Sequence, residues 1–293
     1  MHLGPLQARQ RFARPWCAGI GLLAAAVALA WPGGARAEQA LRPRWEIGAG
    51  VAAFSMPAYR GSSEQRGYLL PVPYAVYRGE VLKVDREKVA GMLFSSEHVK
   101  LDISMSGSAP ASSDGLEARR GMPDLAPSFE VGPQLDVILS ERDRWRLDLY
   151  LPVRRVVAVD GSGLHAIGWV ANPSLGLAVK DVGPGGGWEL GISGGPLWAD
   201  AEMHGYYYGV SPEYATADRP AYRARGGYSG TALTVSATKR FDRLWVGAFV
   251  RVNLLQGTAF EGSPLVEERT GYLAGLAVSW VPLQSRDLVL SDY

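Results

Sequence analysis

Between residues 44 and 281 the chain keeps returning to segments of about ten residues in which every second side chain is apolar. Leu244, Val246, Ala248, Val250, Val252 and Leu254 alternate with Trp245, Gly247, Phe249, Arg251 and Asn253. Trp145, Leu147, Leu149, Leu151 and Val153 alternate with Arg146, Asp148, Tyr150 and Arg154, and Val99, Leu101, Ile103 and Met105 with Lys100, Asp102 and Ser104. A period of two belongs to strands with one apolar face, not to helices. A soluble sandwich turns that face inward; an outer-membrane barrel turns it to lipid around a polar lumen. Length favours the barrel: about ten residues cross a bilayer at a tilt of ~45°, whereas sandwich strands usually run to about 5–6.

The expected fold is therefore all-β, a transmembrane antiparallel β-barrel of twelve strands, with ten as the alternative. The strands fall near 44–54, 68–78, 80–86, 88–95, 98–107, 126–139, 144–157, 165–181, 187–199, 227–240, 244–256 and 269–281. Residues 80–95 are the least regular; read as one strand they give eleven, which puts the two chain ends on opposite rims. The connections sort by parity. Long ones (55–67, 108–125, 200–226, 257–268) share one rim with 158–164, and tight turns such as Ser140–Asp143, Gly183–Gly186 and Asp242-Arg243 share the other, as in outer-membrane barrels. Trp45, Trp145, Trp188 and Trp280 fall at the short-turn rim and Trp169 and Trp198 near the opposite one, as expected of aromatic belts. Trp245 is the exception, since alternation puts it on the lumen face unless a bulge turns it outward.

The first 37 residues read as a signal peptide: Arg9, Arg11 and Arg14, an apolar run from Trp16 to Trp31, and the small-x-small site Ala35-Arg36-Ala37, with cleavage between Ala37 and Glu38. The barrel then occupies 38–293. Removing Arg9, Arg11, Arg14 and Arg36 from 30 basic residues leaves 26 against 29 acidic, net −3. That is no footprint for nucleic acid. Cys17, the single cysteine, leaves with the leader, so the mature chain has no disulfide and no Cys metal ligand.

Lumen positions carry both signs: Glu46, Lys100, Asp102, Arg146, Asp148, Arg154, Lys180, Glu189, Arg240 and Arg251, interleaved with glycines. Nothing in the chain makes a strong enzymatic signature. His98, His165 and His204 have no metal-ligand spacing, there is no G-x-S-x-G, and Gly183–Gly187 precedes a strand and lacks a G-K-[ST] ending. No catalytic, cofactor or metal residue is assigned, and a non-enzymatic protein is expected. Asp114–Arg120 reads as a solvated, Ser-rich loop. The loop 200–226 holds Tyr206, Tyr207, Tyr208, Tyr214 and Tyr222 with Arg219, Arg223 and Arg225. It reads equally as a ligand-contact surface or as a loop folded over the barrel mouth on its own aromatics.

A series of short motifs resembles the MipA/OmpV outer-membrane proteins. Pro57-Ala58-Tyr59-Arg60-Gly61-Ser62 resembles the first-loop P-x-Y-x-G-S, and Pro71-Val72-Pro73-Tyr74 follows. Gly168–Pro173, with Asn172-Pro173 at its end, recurs mid-barrel. Tyr207-Tyr208-Gly209-Val210, Gly226-Gly227-Tyr228 and Ser263-Pro264-Leu265-Val266 complete the order. The resemblance implies an outer-membrane protein of a Gram-negative bacterium that contacts a murein lytic transglycosylase and links it to a penicillin-binding murein synthase, in contact with outer-membrane lipid. Its periplasmic contact surface is expected in 38–43 and 281–293, because the other turns on that rim offer little area. Leu273–Trp280 resembles a closing strand at which such chains usually stop, whereas this one continues to Tyr293. A small-solute channel and a surface adhesin or receptor are the alternative functions.

Overall fold

The computed structural model describes residues 40–78, 82–84, 89–91, 94–96 and 98–291. The expected signal peptide and the Ala37–Glu38 junction lie outside the described residues. In chain order the strands are β1 (Ala40–Pro43), β2 (Trp45–Pro57), β3 (Gln65–Arg78), β4 (Leu82–Val84), β5 (Val89–Gly91), β6 (Phe94–Ser95), β7 (Val99–Ser108), β8 (Ser128–Arg142), β9 (Trp145–Asp160), β10 (Gly163–Ala171), β11 (Ser174–Val182), β12 (Trp188–Ala199), β13 (Gly227–Phe241), β14 (Leu244–Leu254), β15 (Thr270–Gln284) and β16 (Leu288–Ser291). One eight-residue helix, α1 (Ala201–Tyr208), lies between β12 and β13. No helix among the described residues is long and apolar enough to cross a membrane.

All strands but β1 and β16 join one antiparallel ladder that runs from β5 through β4, β3, β2, β15, β14, β13, β12, β10, β9, β8 and β7 to β6. Its two end strands are close in the chain, with residues 92 and 93, outside the described residues, between them. β10 and β11 both lie between β9 and β12, so they share one place in the wall. The strands of the barrel lie where the alternation puts them, most of them a few residues longer. Of the segments expected at 80–86 and 88–95, residues 80–81, 85–86, 88 and 92–93 lie outside the described residues; the described pieces are β4, β5 and β6, near the short-turn rim.

The faces follow the alternation. Along β2, Trp45, Ile47, Ala49, Val51 and Ala53 are exposed outward, while Glu46, Gly48, Gly50, Ala52 and Phe54 are more covered on the inside. Leu233, Val235, Val250, Leu276, Leu175 and Ile192 continue the outward apolar surface across the wall. Inside a soluble protein such side chains would be core; here they are the surface, which suits a hydrocarbon solvent. Trp45 and Trp280 are exposed at the short-turn rim, and Trp169 and Trp198 at the other. Lys239 reaches over the Trp188 and Phe241 rings, 5.7 and 5.2 Å from their centroids, and donates to the Gly186 carbonyl oxygen at 2.8 Å. Its stem lies along the apolar face and its ammonium at the rim.

Trp245 does not turn outward. β13 and β14 pair without a bulge, Arg240 opposite Trp245, so the indole stays inside and packs with Tyr74, Val76 and Val281. It lies over Gly247, where an added Cβ would come within 2.4 Å of the ring; only glycine leaves the indole this place.

Several polar lumen groups are paired. Arg146 Nε bonds both carboxylate oxygens of Asp148 at 2.9 and 2.8 Å, and Tyr150 donates to the same carboxylate. Arg154 bonds Glu130 at 2.8 Å and Ser104 at 3.2 Å. Tyr74 donates to Glu46 and receives a bond from Arg240. We expect Leu149→Arg, on the lipid face of β9, to cost ~2–4 kcal/mol of folding free energy. Replacing Arg146 alone leaves the buried Asp148 carboxylate only the Tyr150 hydroxyl in place of its ion pair. The double variant Arg146→Met/Asp148→Leu, which removes both partners, should cost less than Leu149→Arg. Urea unfolding monitored by heat-modifiable electrophoretic mobility measures all three.

Candidate functional site

At the long-loop rim four connections fold into one core. Tyr59 comes from the β2–β3 connection, Leu116 and Leu125 from β7–β8, Tyr208 from β12–β13, and Leu255 and Phe260 from β14–β15, and all are buried. The Tyr208 and Phe260 rings stack at 3.7 Å with 6° between planes. Hydrogen bonds then fasten one connection to the next. Tyr59 Oη donates to the Leu265 carbonyl oxygen and Tyr208 Oη to that of Arg60, both at 2.8 Å. Ser263 Oγ donates to the Tyr208 carbonyl oxygen at 2.7 Å. Burial raises the Tyr208 hydroxyl to about 12 and pushes Tyr59 up as well, so both stay donors at neutral pH.

The segment Asp114–Arg120 is solvated on one side only, with Asp114, Glu117 and Arg120 exposed. It forms two single-turn 3-10 helices, Ser113–Gly115 and Glu117–Arg119, and Leu116 and Arg119 are buried beneath them. Arg119 donates to the carbonyl oxygens of Tyr207 and Pro123. The tyrosine loop takes the second of its two readings. Tyr206 Oη accepts from the Ala126 N–H at 2.9 Å, Tyr207 Oη pairs with Ser128 Oγ, and Arg219 donates to the carbonyl oxygens of Tyr214, Ala118 and Arg120. These groups hold the cap together.

Helix α1 is seated by its N-cap. Asp200 accepts from Met203 N at 2.9 Å and, through its other oxygen, from Trp169 N at 3.1 Å. Gly168, at φ +130°, permits that approach: a Cβ there would lie 2.3 Å from the Asp200 carboxylate. The helix carries His204, buried beside Phe260 at 4.6 Å. A carbonyl only accepts, so the 2.6 Å contact with the Arg225 oxygen fixes the proton on Nδ1. Nε2 therefore accepts from Ser229 Oγ at 3.0 Å, and Ser229 Oγ accepts from Arg60 Nη2 at 3.0 Å. Burial, and secondarily the Arg60 charge, pull the His204 pKa below its ordinary value; the Arg225 carbonyl and Asp200 oppose this. Ser162, His165 and Asp160 also meet, at the β9–β10 turn, but His165 Nε2 serves both partners at 2.8 and 3.1 Å. A triad needs the carboxylate on one ring nitrogen and the serine on the other, so this is turn chemistry.

The motif residues separate into three places. Tyr59, Gly61, Ser62, Tyr208, Gly209, Ser263 and Pro264 come together in the cap, where the Gly61 carbonyl accepts from the N–H groups of Glu267 and Glu268 at 2.8 and 3.0 Å. Pro57 ends β2 below them. Asn172 and Pro173 sit where β10 breaks from β11: Asn172 Nδ2 donates to the Pro196 carbonyl oxygen at 3.0 Å while its backbone N–H reaches that of Pro152. Pro71, Pro73 and Tyr74 lie in β3. Sequence reading missed the Arg60–Ser229–His204 chain and the burial of Leu116, Phe260 and Leu265; the signal was apolar residues inside the long connections.

At the short-turn rim β1 and β16 form a two-stranded ribbon outside the wall, Leu41 opposite Leu290 and Pro43 opposite Leu288. Between the ribbon and the wall the same two segments go on pairing, Arg44 N to the Asp287 oxygen and Ser285 N to the Trp45 oxygen, both 2.9 Å. Residues 281–284 are not part of it: β15 runs on to Gln284, and Val281 is buried in the lumen cluster.

We expect Phe260→Ala to cost the cap about 3–5 kcal/mol and to open its loops to proteolysis, leaving barrel mobility unchanged. A histidine held neutral by its folded environment stabilises least in acid. Protection of the cap should thus be complete above the ordinary histidine value of ~6.5 and fall as pH drops toward the lowered value of His204. Limited proteolysis at pH 7.5 and 5 measures both.

Comparison with known proteins follows the same line. No curated protein matches the chain. Solved structures similar in outline include a NanC porin (TM-score 0.36, 9% identity, covering 82% of this chain and 99% of that one) and a bacterial polysaccharide outer membrane secretin (0.40, 8%, 80% and 98%). A third is the outer membrane protease OmpT from Escherichia coli (0.31, 8%, 83% and 99%). At such scores nothing about function follows. The family model described as "MltA-interacting protein MipA" matches residues 49–282. That span takes in most of β2, β3 to β14, nearly all of β15 and all four cap connections, so the chain belongs to the MipA family and is an outer-membrane β-barrel protein of a Gram-negative bacterium.

Proposed function

We propose that the protein is a non-enzymatic scaffold that holds a murein lytic transglycosylase, and with it a penicillin-binding murein synthase, at the inner face of the outer membrane. The family description names interaction with MltA. The observation that carries the reading on this chain is the β1–β16 ribbon. The β8–β9, β11–β12 and β13–β14 connections of that rim are short turns, whereas the ribbon stands outside the wall with Leu41 and Leu288 exposed and the arginines 44 and 286 beside them. No further strand joins it among the described residues. A two-stranded ribbon is marginal alone, and a third strand from a partner would complete its hydrogen bonding and cover its leucines, the mode known as β-augmentation.

The cap disfavours the adhesin or receptor reading of loop 200–226, since Tyr206, Tyr207 and Tyr208 are engaged in holding the loops to one another. The test is truncation after Gln284, which spares β15. Deleting 285–293 should leave a barrel that assembles and abolish co-purification with the transglycosylase from cross-linked envelopes. Replacing the tyrosines 206–208 should loosen the cap yet leave that contact intact, a bilayer of ~30 Å away. Binding lost through the loop and kept without the tail would overturn the reading.

A further inference from the structure

Arginine side chains gather in the lumen beneath the cap. Arg251 lies near the long-loop end of β14, between Val250 and Val252 of the outer face, and is solvent-accessible on the inner one. Its Nε donates to Thr234 Oγ1 of β13 at 2.9 Å. Arg60 reaches from the β2–β3 connection onto the same strand and donates to the Ser229 carbonyl oxygen and Oγ, at 3.2 and 3.0 Å. Arg154 of β9 is held by β8 and β7, through Glu130 at 2.8 Å and Ser104 at 3.2 Å. The charges of Arg60, Glu130 and Arg154 all act on Arg251. The three guanidiniums therefore share one region, although β13, β12 and β10 separate β14 from β9 in the ladder.

That region is short of negative charge. Glu130 is taken by Arg154. The lumen carboxylates Glu46, Asp102, Asp136 and Asp148 are buried in the wall nearer the short-turn rim. A guanidinium carries five N–H donors. Among the described residues Arg251 uses one, on a hydroxyl, and Arg60 uses two, on a carbonyl and a hydroxyl; neither meets a carboxylate. Like charges held together in a partly desolvated place disfavour one another. An oxyanion between them relieves that repulsion, and the remaining donors form the fork that fits two carboxylate oxygens.

Below the arginines the lumen wall is aromatic. Phe249 is the next inward residue down β14 from Arg251, and the register continues its row through Gly275 to Phe54 and Tyr68. Phe54 and Tyr68 stack at 5.1 Å with 20° between planes. A Cβ on Gly275 would meet the Phe249 ring, so glycine lets that ring lie along the wall toward Phe54. All three rings are half-buried, which leaves part of each open to the lumen. The two rows are roughly 7 Å apart, two residues along a strand, a span that a carboxylate attached directly to one ring covers.

We propose that the upper lumen is a binding site for a small aromatic carboxylate, with its carboxylate between Arg251 and Arg60 and its ring on the shelf of Phe249, Phe54 and Tyr68. Arg154, already paired, contributes field and no contact.

Equilibrium dialysis of the folded, heat-modifiable barrel in a non-ionic detergent tests the site, with protein-free micelles as background. Benzoate should bind saturably, about tenfold tighter than acetate, which has the charge without the ring, and than benzyl alcohol, which has the ring without the charge. Arg251→Gln should weaken benzoate about tenfold, the worth of one hydrogen bond between charged groups, and leave benzyl alcohol unchanged. Phe249→Leu should weaken benzoate about threefold and leave acetate unchanged. Should Arg251→Gln not fold, Arg60→Gln takes its place, and the comparison of the three probes on the unaltered chain needs no variant. Absence of saturable benzoate binding, acetate binding as tightly as benzoate, or a folded Arg251→Gln barrel with undiminished affinity would each overturn the site.

Discussion

A strand in hydrocarbon has no water to bond, so every backbone group must find a partner in the chain. The rest of this structure answers to that demand. It is why the wall is one continuous antiparallel ladder, and why the departures from it are chemically marked. Where β10 breaks from β11, the Asn172 side chain bonds a carbonyl of the neighbouring strand.

A second folding problem is solved above the membrane by other means. The cap has a core of the soluble kind, with Phe260, Leu255, Leu116 and Tyr208 buried and the polar groups among them bonded. Arg60 belongs to this network through Ser229 and, via the Tyr208 hydroxyl, through its own carbonyl. The barrel rim thus serves as a floor: β2, β7, β12, β13 and β14 deliver the connections at fixed spacing, and the connections pack on one another.

How much of this could be read from the sequence depended on the range of the interactions. Strand periodicity is local, so the faces of β2, β9 and β14, and the two belts of tryptophan, were legible from Val51, Leu149 or Trp280 alone. Trp245 was legible too, by strict alternation, and Gly247 makes room for its ring inside. The segment 80–95 was the ambiguous one in sequence, and about half of it lies outside the described residues. The cap was not legible, because its contacts join residues far apart in the chain, such as Tyr59 with Leu265 or Arg119 with Tyr207. Asp114–Arg120 looked like solvent-facing charge because its Leu116 and Arg119 have their partners in other loops. The ribbon was foreseen as a place but not as a structure, since pairing of residues 40–43 with 288–291 leaves no periodic mark.

The interlocking of the cap bears on how this surface can diverge. Exposed loops of membrane barrels are ordinarily free to change, one at a time, under pressure from antibodies or phage. Here Tyr208 touches residues from two other connections, and its carbonyl, its hydroxyl and its ring each have a different partner. A change at any of these sites must be matched in another loop, so substitutions there are expected to arise in correlated sets. Independent drift is left to the exposed residues beyond the core, such as Glu213, Asp218 and Arg223. The face shown to the outside would then be a conserved frame with a few variable points on it.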